Sequence, residues 1–137
     1  MSQTEINEGG CLCGAIRYRV SGAPLRVGLC HCGQCRRETG SAMPSFVTWP
    51  RQELEIMKGK PAGIRLSDFA TREFCRDCGS PLFWRADNGD DITVYLGSLD
   101  DAEAMPAPSY ELWAERRLHW VPEIPGIKSY RQQPPRG

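Results

Sequence analysis

The seven cysteines of this 137-residue chain constrain its fold more than any other feature, because they fall into three tight groups. The groups lie at Cys11–Cys13, Cys30–Cys35 and Cys75–Cys78. Seven thiols cannot all pair with one another, and their share of the chain is below the roughly 8–10 per cent of a disulfide-rich scaffold. The opening segment lacks the basic and apolar regions of an export signal, so we expect a cytoplasmic protein whose cysteines bind metal.

Two of the groups are cysteine pairs. In an extended segment residues i and i+2 point the same way, so Cys11 and Cys13 can present two sulfurs to one ion. Cys75 and Cys78 have the two-residue spacing that is common in zinc sites. Because four sulfurs complete a tetrahedral zinc site, the sequence predicts that the two pairs meet and form a closed, structural zinc site.

The third group, Cys30, Cys32 and Cys35, is predicted to hold a second zinc ion. Three sulfurs leave one tetrahedral position free for water or substrate, which is typical of catalytic zinc. The side chain of His31 points away from the neighbouring sulfurs if this segment is extended, so we interpret it as a proton carrier or a packing residue. His119 is interpreted as structural.

Three other interpretations of the cysteines remain open from the residues alone. The thiols could be buried as small apolar side chains. They could hold iron, which a visible absorption spectrum would distinguish from colourless zinc. Both sites could also be structural, with a distant side chain completing the second one.

Charge and composition exclude several classes of partner. Lys plus Arg number 17 and Asp plus Glu number 17, so the formal net charge is zero and no basic field attracts nucleic acid or an anionic membrane. No apolar stretch approaches the roughly 18 residues of a membrane span. An apolar content of 40% is enough for one modest core. We therefore expect a single domain over 1–137 with flexible termini at about 1–8 and 131–137.

The chain is predicted to be all-β, because 14 glycines and 11 prolines separate short apolar stretches. One helix is predicted over Gly33–Thr39, ended by Gly40, and a second helical turn within Asp100–Met105 or Tyr110–Arg117. The prolines after Trp120 predict an irregular strap. The predicted strands are Ala15–Val20, Met43–Trp49, Glu53–Met57, Gly63–Leu66, Arg72–Phe74, Leu82–Arg85 and Ile92–Leu96.

Three stretches around the cysteines form a recognisable pattern. They read GGCLCGAIRY at 9–18, CHCGQCRRETGS at 30–41 and REFCRDCGSPL at 72–82, with looser matches at 117–120 and 126–130. On these stretches, which span nearly the whole chain, the sequence resembles the family of glutathione-dependent formaldehyde-activating enzymes, which includes the centromere protein V relatives.

The resemblance implies a β-tent fold, in which small antiparallel sheets are joined around a zinc site. It implies a carbon–sulfur lyase activity, the reversible formation of S-hydroxymethylglutathione from glutathione and formaldehyde, with a small thiol and an aldehyde as partners. It also implies two zinc ions per chain. Their ligands would be Cys11, Cys13, Cys75 and Cys78 for the structural ion, and Cys30, Cys32 and Cys35 for the catalytic ion, with His31 as a further catalytic candidate.

Two further features bear on that implied activity. Arg36 and Arg37 follow the third cysteine group directly, and either could bind a substrate carboxylate in fork geometry. Glu111 stands where many members of the family have a histidine. The alternative to an enzyme is a non-catalytic binding module in which both zinc sites are structural.

Overall fold

The computed structural model describes residues 5–134 and is mostly β, with 39% strand, one short α-helix and two sheets. This confirms the predicted all-β class. The elements in chain order are β1 (Ile6–Gly10), β2 (Arg17–Ser21), β3 (Arg26–Cys30), α1 (Gly33–Thr39), β4 (Ser45–Pro50), β5 (Leu54–Lys58), β6 (Ala62–Ile64), β7 (Ala70–Phe74), β8 (Pro81–Ala86), β9 (Asp91–Tyr95), β10 (Tyr110–Leu112) and β11 (Lys128–Ser129).

The strands form one small sheet and one large sheet. The small sheet has the order β1-β2-β5, and the large one has the order β11-β10-β3-β4-β9-β8-β7-β6. Most neighbours pair antiparallel, as predicted, but β10 pairs parallel with both β3 and β11. Within the closing segment predicted as an irregular strap, Lys128–Ser129 forms β11 and pairs with β10.

The hydrophobic core contains side chains from both sheets. In β2 the burial alternates, so Tyr18 and Val20 face the core while their neighbours face outward. The rings of Tyr18 and Phe83 meet edge to face with their centroids 5.0 Å apart, which joins the two sheets. Other core residues are Ile16, Val27, Val47, Trp49, Leu82, Ile92, Val94, Leu99 and Met105.

All seven predicted strands are present with ends shifted by one or two residues, but β1, β3, β10 and β11 were not predicted. Strand β3 was not predicted because Gly28 interrupts the strand-forming residues of this segment. Gly28 has a packing reason, since a Cβ at this position would lie 2.2 Å from the ring of Tyr110. Glycine thus allows β10 to lie directly against β3.

Helix α1 has the predicted bounds, and Gly40 ends it in the left-handed conformation while its N–H donates to the carbonyl of Arg36 at 2.7 Å. The second helical turn is a 3-10 turn at Ala102–Ala104, with another at Ala114–Arg116. No helix among residues 5–134 has the length and apolar character needed to cross a membrane.

The N-terminal residues 6–8, which we expected in a flexible terminus, belong to β1 and pair with β2. Strand β1 was not predicted because polar side chains on an edge strand resemble a loop in sequence, and the flexibility of this terminus stays a prediction. At the other end, Arg131 and Gln132 both contact Glu115. The predicted flexibility of 1–4 and 135–137 lies outside the described residues.

Candidate metal centres

The structure brings the two cysteine pairs together into a four-cysteine cluster of Cys11, Cys13, Cys75 and Cys78, whose sulfurs all lie within 4.8 Å of one another. The first pair lies just after β1 and the second just after β7. The Sγ–Sγ distances are 3.7 Å from Cys11 to Cys13 and 3.8 Å from Cys13 to Cys75. The meeting of the two pairs, which spacing alone predicted, is therefore observed.

Two neutral hydrogen-bonding groups contact sulfurs of the four-cysteine cluster. The N–H of Ile16 donates to Cys11 Sγ at 3.2 Å, and Cys78 Sγ lies 3.1 Å from the hydroxyl of Ser80. Hydrogen bonds from the Ser80 hydroxyl and the Ser80 amide lower the pKa of Cys78 to about 5. Gly79, in the left-handed conformation, closes the turn between these residues with an N–H bond of 2.7 Å to the carbonyl of Cys75.

Cys30, Cys32 and Cys35 form a separate three-cysteine cluster whose sulfurs also lie within 4.8 Å of one another. Cys30 ends β3, Cys32 is the N-cap of α1, and Cys35 lies in the first turn of that helix. The N–H of Cys35 donates to Cys32 Sγ at 3.3 Å, so the helix start itself orients two of the three sulfurs. Among residues 5–134, no histidine or carboxylate joins this cluster as a fourth donor.

The thiols of the three-cysteine cluster do not carry charge equally. Hydrogen bonds with the Cys30 and Cys35 thiols hold the pKa of Cys32 far below its usual value. Hydrogen bonds with the Cys32 and Cys35 thiols, together with burial, raise the pKa of Cys30. Cys32 is partly exposed whereas the other two sulfurs belong to buried residues. Negative charge is therefore favoured first on the sulfur that solvent can approach.

Both clusters fit a zinc ion by their chemistry and spacing. Zinc binds thiolates at about 2.3 Å, and four sulfurs at that distance in a tetrahedron stand about 3.8 Å apart. The observed distances of 3.7 and 3.8 Å in the four-cysteine cluster agree with this geometry. Each cluster could hold one metal ion, which supports the prediction of two metal sites per chain.

A groove of about 490 Å³ is lined by residues of α1 and of the segment that follows it. It begins at Gly33, directly after Cys32, and ends near Gly40. Arg36 and Arg37 both line it, and no acidic residue does. The groove therefore presents positive charge on the helix face formed by Gly33, Arg36, Arg37 and Gly40, and none of the three cysteines lines it. Its lining is completed by Ser41, Ala42 and Leu118.

His31 is buried rather than directed at the sulfurs of its neighbours. It is 1% exposed, and its Nε2 lies 3.2 Å from a carboxylate oxygen of Glu111. Its Nδ1 is also buried and has no hydrogen-bond partner among the described residues. The expectation that His31 points away from the ion of its neighbours agrees with this placement, while its catalytic role stays a prediction.

Glu111 is the centre of a buried polar network that the sequence did not predict. Its carboxylate accepts hydrogen bonds from Arg117 and from the hydroxyl of Ser129, the latter at 3.0 Å, besides its contact with His31. Burial raises the pKa of Glu111, but the hydrogen bonds outweigh burial and hold the pKa below its usual value. The network joins β10 and β11 to the segment that carries the three-cysteine cluster.

Arg72 is a second buried charge that sequence reasoning missed. It lies on β7 and is 5% exposed, yet one of its nitrogens is 3.5 Å from Cys35 Sγ. Burial disfavours its charge, but hydrogen bonds to Cys35 and Glu38 hold its pKa above the usual value. The available signal was alternation, because Arg72 shares a strand face with buried Ala70.

The fold and the clusters define a class, a mostly-β protein built around two groups of cysteines that could each hold a metal ion. The family model described as glutathione-dependent formaldehyde-activating enzyme matches residues 6–116. Because this match covers most of the chain, the protein belongs to that family, as the resemblance indicated.

Relatives with related descriptions support this placement. An uncharacterized lyase of Schizosaccharomyces pombe is 32% identical over 83 residues, which cover 60% of this chain and 59% of that protein. The match therefore spans less than two thirds of the length of the yeast protein. A putative glutathione-dependent formaldehyde-activating enzyme of Halomonas elongata is 27% identical over 126 residues, covering 83% of this chain and 78% of that protein.

A solved structure resembles the fold as well. The crystal structure of a Rhodobacter sphaeroides protein superposes with a TM-score of 0.57 and 26% sequence identity. The superposition covers 68% of this chain and 87% of that one. The similarity thus extends to most of the smaller protein.

Proposed function

We propose that this protein is a zinc-dependent carbon–sulfur lyase that interconverts S-hydroxymethylglutathione with glutathione and formaldehyde. The observation that carries the proposal is that the three-cysteine cluster has no fourth protein donor among residues 5–134. Helix α1, which carries Cys35, also lines a groove with Arg36 and Arg37. A closed cluster without a neighbouring groove would instead favour the non-catalytic binding module.

Each group of site residues has a defined role in the proposed reaction. Cys30, Cys32 and Cys35 hold the catalytic zinc, which supplies Lewis acidity for polarising a carbonyl or lowering the pKa of a bound thiol. Cys11, Cys13, Cys75 and Cys78 hold the structural zinc. Arg36 and Arg37 bind carboxylate groups of glutathione, which orients its thiol along α1.

The reaction is an addition of a thiol to an aldehyde, and it needs no oxidant or reductant. The thiol sulfur of glutathione forms a bond to the carbonyl carbon of formaldehyde while the carbon–oxygen π bond breaks. The thiol proton ends on the new hydroxyl oxygen. In the reverse direction the carbon–sulfur bond breaks, which is the lyase reaction.

Two-dimensional exchange NMR on the zinc-loaded protein tests this proposal, because free glutathione and its formaldehyde adduct give separate signals that already interconvert slowly in water. We expect the protein to accelerate the exchange in proportion to its concentration. The double variant Arg36→Ala, Arg37→Ala should raise the KM for glutathione about tenfold, whereas Arg76→Ala, at an exposed position beside the other cluster, should leave it unchanged. An exchange rate equal to the spontaneous one, with two zinc ions counted per chain, would refute the proposal.

A further inference from the structure

Arg72 is a charged side chain in a place where charge is costly. It projects from β7 towards α1 and is 5% exposed. A buried guanidinium is tolerated only when acceptors replace the water it has lost. The acceptors that Arg72 contacts therefore indicate which elements of the fold its charge holds together.

Both terminal nitrogens of Arg72 are used, and three of the four partners lie on α1. Nη1 donates to a carboxylate oxygen of Glu38 at 2.7 Å and to the hydroxyl of Tyr95 at 3.1 Å. Nη2 donates to the side-chain oxygen of Gln34 at 3.1 Å and lies 3.5 Å from Cys35 Sγ. The fourth partner, Tyr95, ends β9 and itself donates to Glu38. One side chain thus ties the helix that carries Cys35 to the large sheet.

The contact with sulfur distinguishes Arg72 from the other paired arginines of the described chain. Those at 17, 19, 26, 65, 85, 117 and 131 bond to carboxylates. Arg72 has one carboxylate partner, Glu38, and directs its other nitrogen to an amide oxygen and a thiol. The four-cysteine cluster has neutral neighbours at the sulfurs described above. Among the hydrogen bonds of residues 5–134, a buried cation therefore contacts a sulfur of the three-cysteine cluster and none of the four-cysteine cluster.

We propose that Arg72 is a positioning residue of the three-cysteine cluster, holding α1 against the large sheet and Cys35 Sγ in the place where it shares a metal ion with Cys30 and Cys32. This inference rests on the proposed metal binding by that cluster, and it does not depend on which substrate the site accepts. The planar guanidinium suits the task because it reaches four acceptors in fixed directions. The ammonium group of lysine is a single point that cannot replace this fork.

Cobalt(II) is the probe that tests this role, since thiolate-to-cobalt charge-transfer absorption reports each cluster without any substrate. The protein is loaded with two cobalt ions, and their release to a chelator is followed as two phases. The Cys35→Ser variant identifies the phase that belongs to the three-cysteine cluster. Arg72→Lys keeps the charge and removes the fork, and Arg72→Met removes both.

The matched control is Arg85, an arginine on the adjacent strand β8 that bonds to Glu73 at 3.1 Å. We expect Arg72→Lys to speed cobalt release from the three-cysteine cluster at least tenfold and to shift its absorption bands, with the other phase unchanged. Arg72→Met should show the larger effect in the same phase. Arg85→Lys should release cobalt from both clusters at the rates of the unaltered protein.

Two results would overturn the proposal. One is an Arg72→Lys protein that releases cobalt from the three-cysteine cluster at the original rate. The other is equal acceleration of both phases with unchanged absorption bands, which would make Arg72 a residue of general stability. If Arg72→Met does not fold, the lysine variant still decides between these outcomes. Failure of the glutathione reaction alone would not affect the result, because cobalt release is measured without substrate.

Discussion

The two cysteine clusters use the same donor atom but are built in different ways. The four-cysteine cluster joins two turns that are distant in sequence, and a backbone amide and a serine hydroxyl contact its sulfurs. The three-cysteine cluster is local in sequence, is shaped by the start of α1, and has buried Arg72 against one sulfur. The two clusters therefore differ in what contacts their sulfurs, which is neutral hydrogen-bond donors in the first and a buried cation in the second.

The sharpest test of this difference is Cys75→Ser in the four-cysteine cluster. A structural zinc site carries on the order of 10 kcal/mol of folding free energy, which is comparable to the whole stability of a small domain. We therefore expect the variant to lose most of its structure, measured by circular dichroism and by the dispersion of its NMR spectrum. A folded variant with an unchanged melting temperature would show that this cluster does not stabilise the fold.

A smaller loss is expected when the network behind the three-cysteine cluster is disturbed by Glu111→Gln. The amide keeps the shape of Glu111 but removes the charge that Arg117 and Ser129 contact, at a cost of about 2 kcal/mol in the free energy of unfolding. Urea unfolding at neutral pH measures this cost. Glu115→Gln, which alters an ion pair with the exposed Arg131, is the control and should cost much less than Glu111→Gln.

The same variant has a defined dependence on pH. The pKa of Glu111 is lowered from its usual 4.5 in the folded protein, so its stabilising charge is fully present above that value and is lost as the pH falls through the folded pKa. The stability difference between the original protein and Glu111→Gln should be constant above about pH 5 and shrink at lower pH. A difference that grows on acidification would contradict the assignment.

The smallest effect on folding is expected from Cys35→Ser in the three-cysteine cluster. The protein should remain folded, because the sheets and the four-cysteine cluster are intact, while the metal count falls from two ions per chain towards one. Elemental analysis and a thermal melt, made on the same sample, give both quantities. If Cys35→Ser collapses as completely as Cys75→Ser, the proposed division of roles between the clusters is wrong.

The local parts of both clusters could be predicted from the sequence because they follow from spacing. Cysteines at i and i+2 or i+3 can face one ion in few backbone conformations, and Gly40 marks the end of α1 in the same local way. Seven strands were also predicted from local signals, since glycines and prolines between short apolar stretches mark strand ends without knowledge of the pairing partners.

The missed features all depend on contacts between distant parts of the chain. Glu111 is a single acid in sequence until β10 pairs with β3, and the partners of Arg72 on α1 lie more than 30 residues away in sequence. Parallel pairing of a three-residue strand has no signature of its own in sequence. The metal-binding cysteines were therefore predictable from sequence, whereas the hydrogen-bond partners of each buried charge were not.

Strand β7 serves both clusters, since it holds Arg72 towards α1 and leads directly to Cys75. Its pairing with β8 shifts register between Glu73 and Phe74, and the extra residue is Leu82 of β8, so β7 itself runs without an insertion from Arg72 to Phe74. A strand advances about 3.3 Å per residue and alternates its faces. Deleting a single residue here would turn one of the two side chains to the opposite face, so the number of residues between them cannot change without damage to one of the clusters.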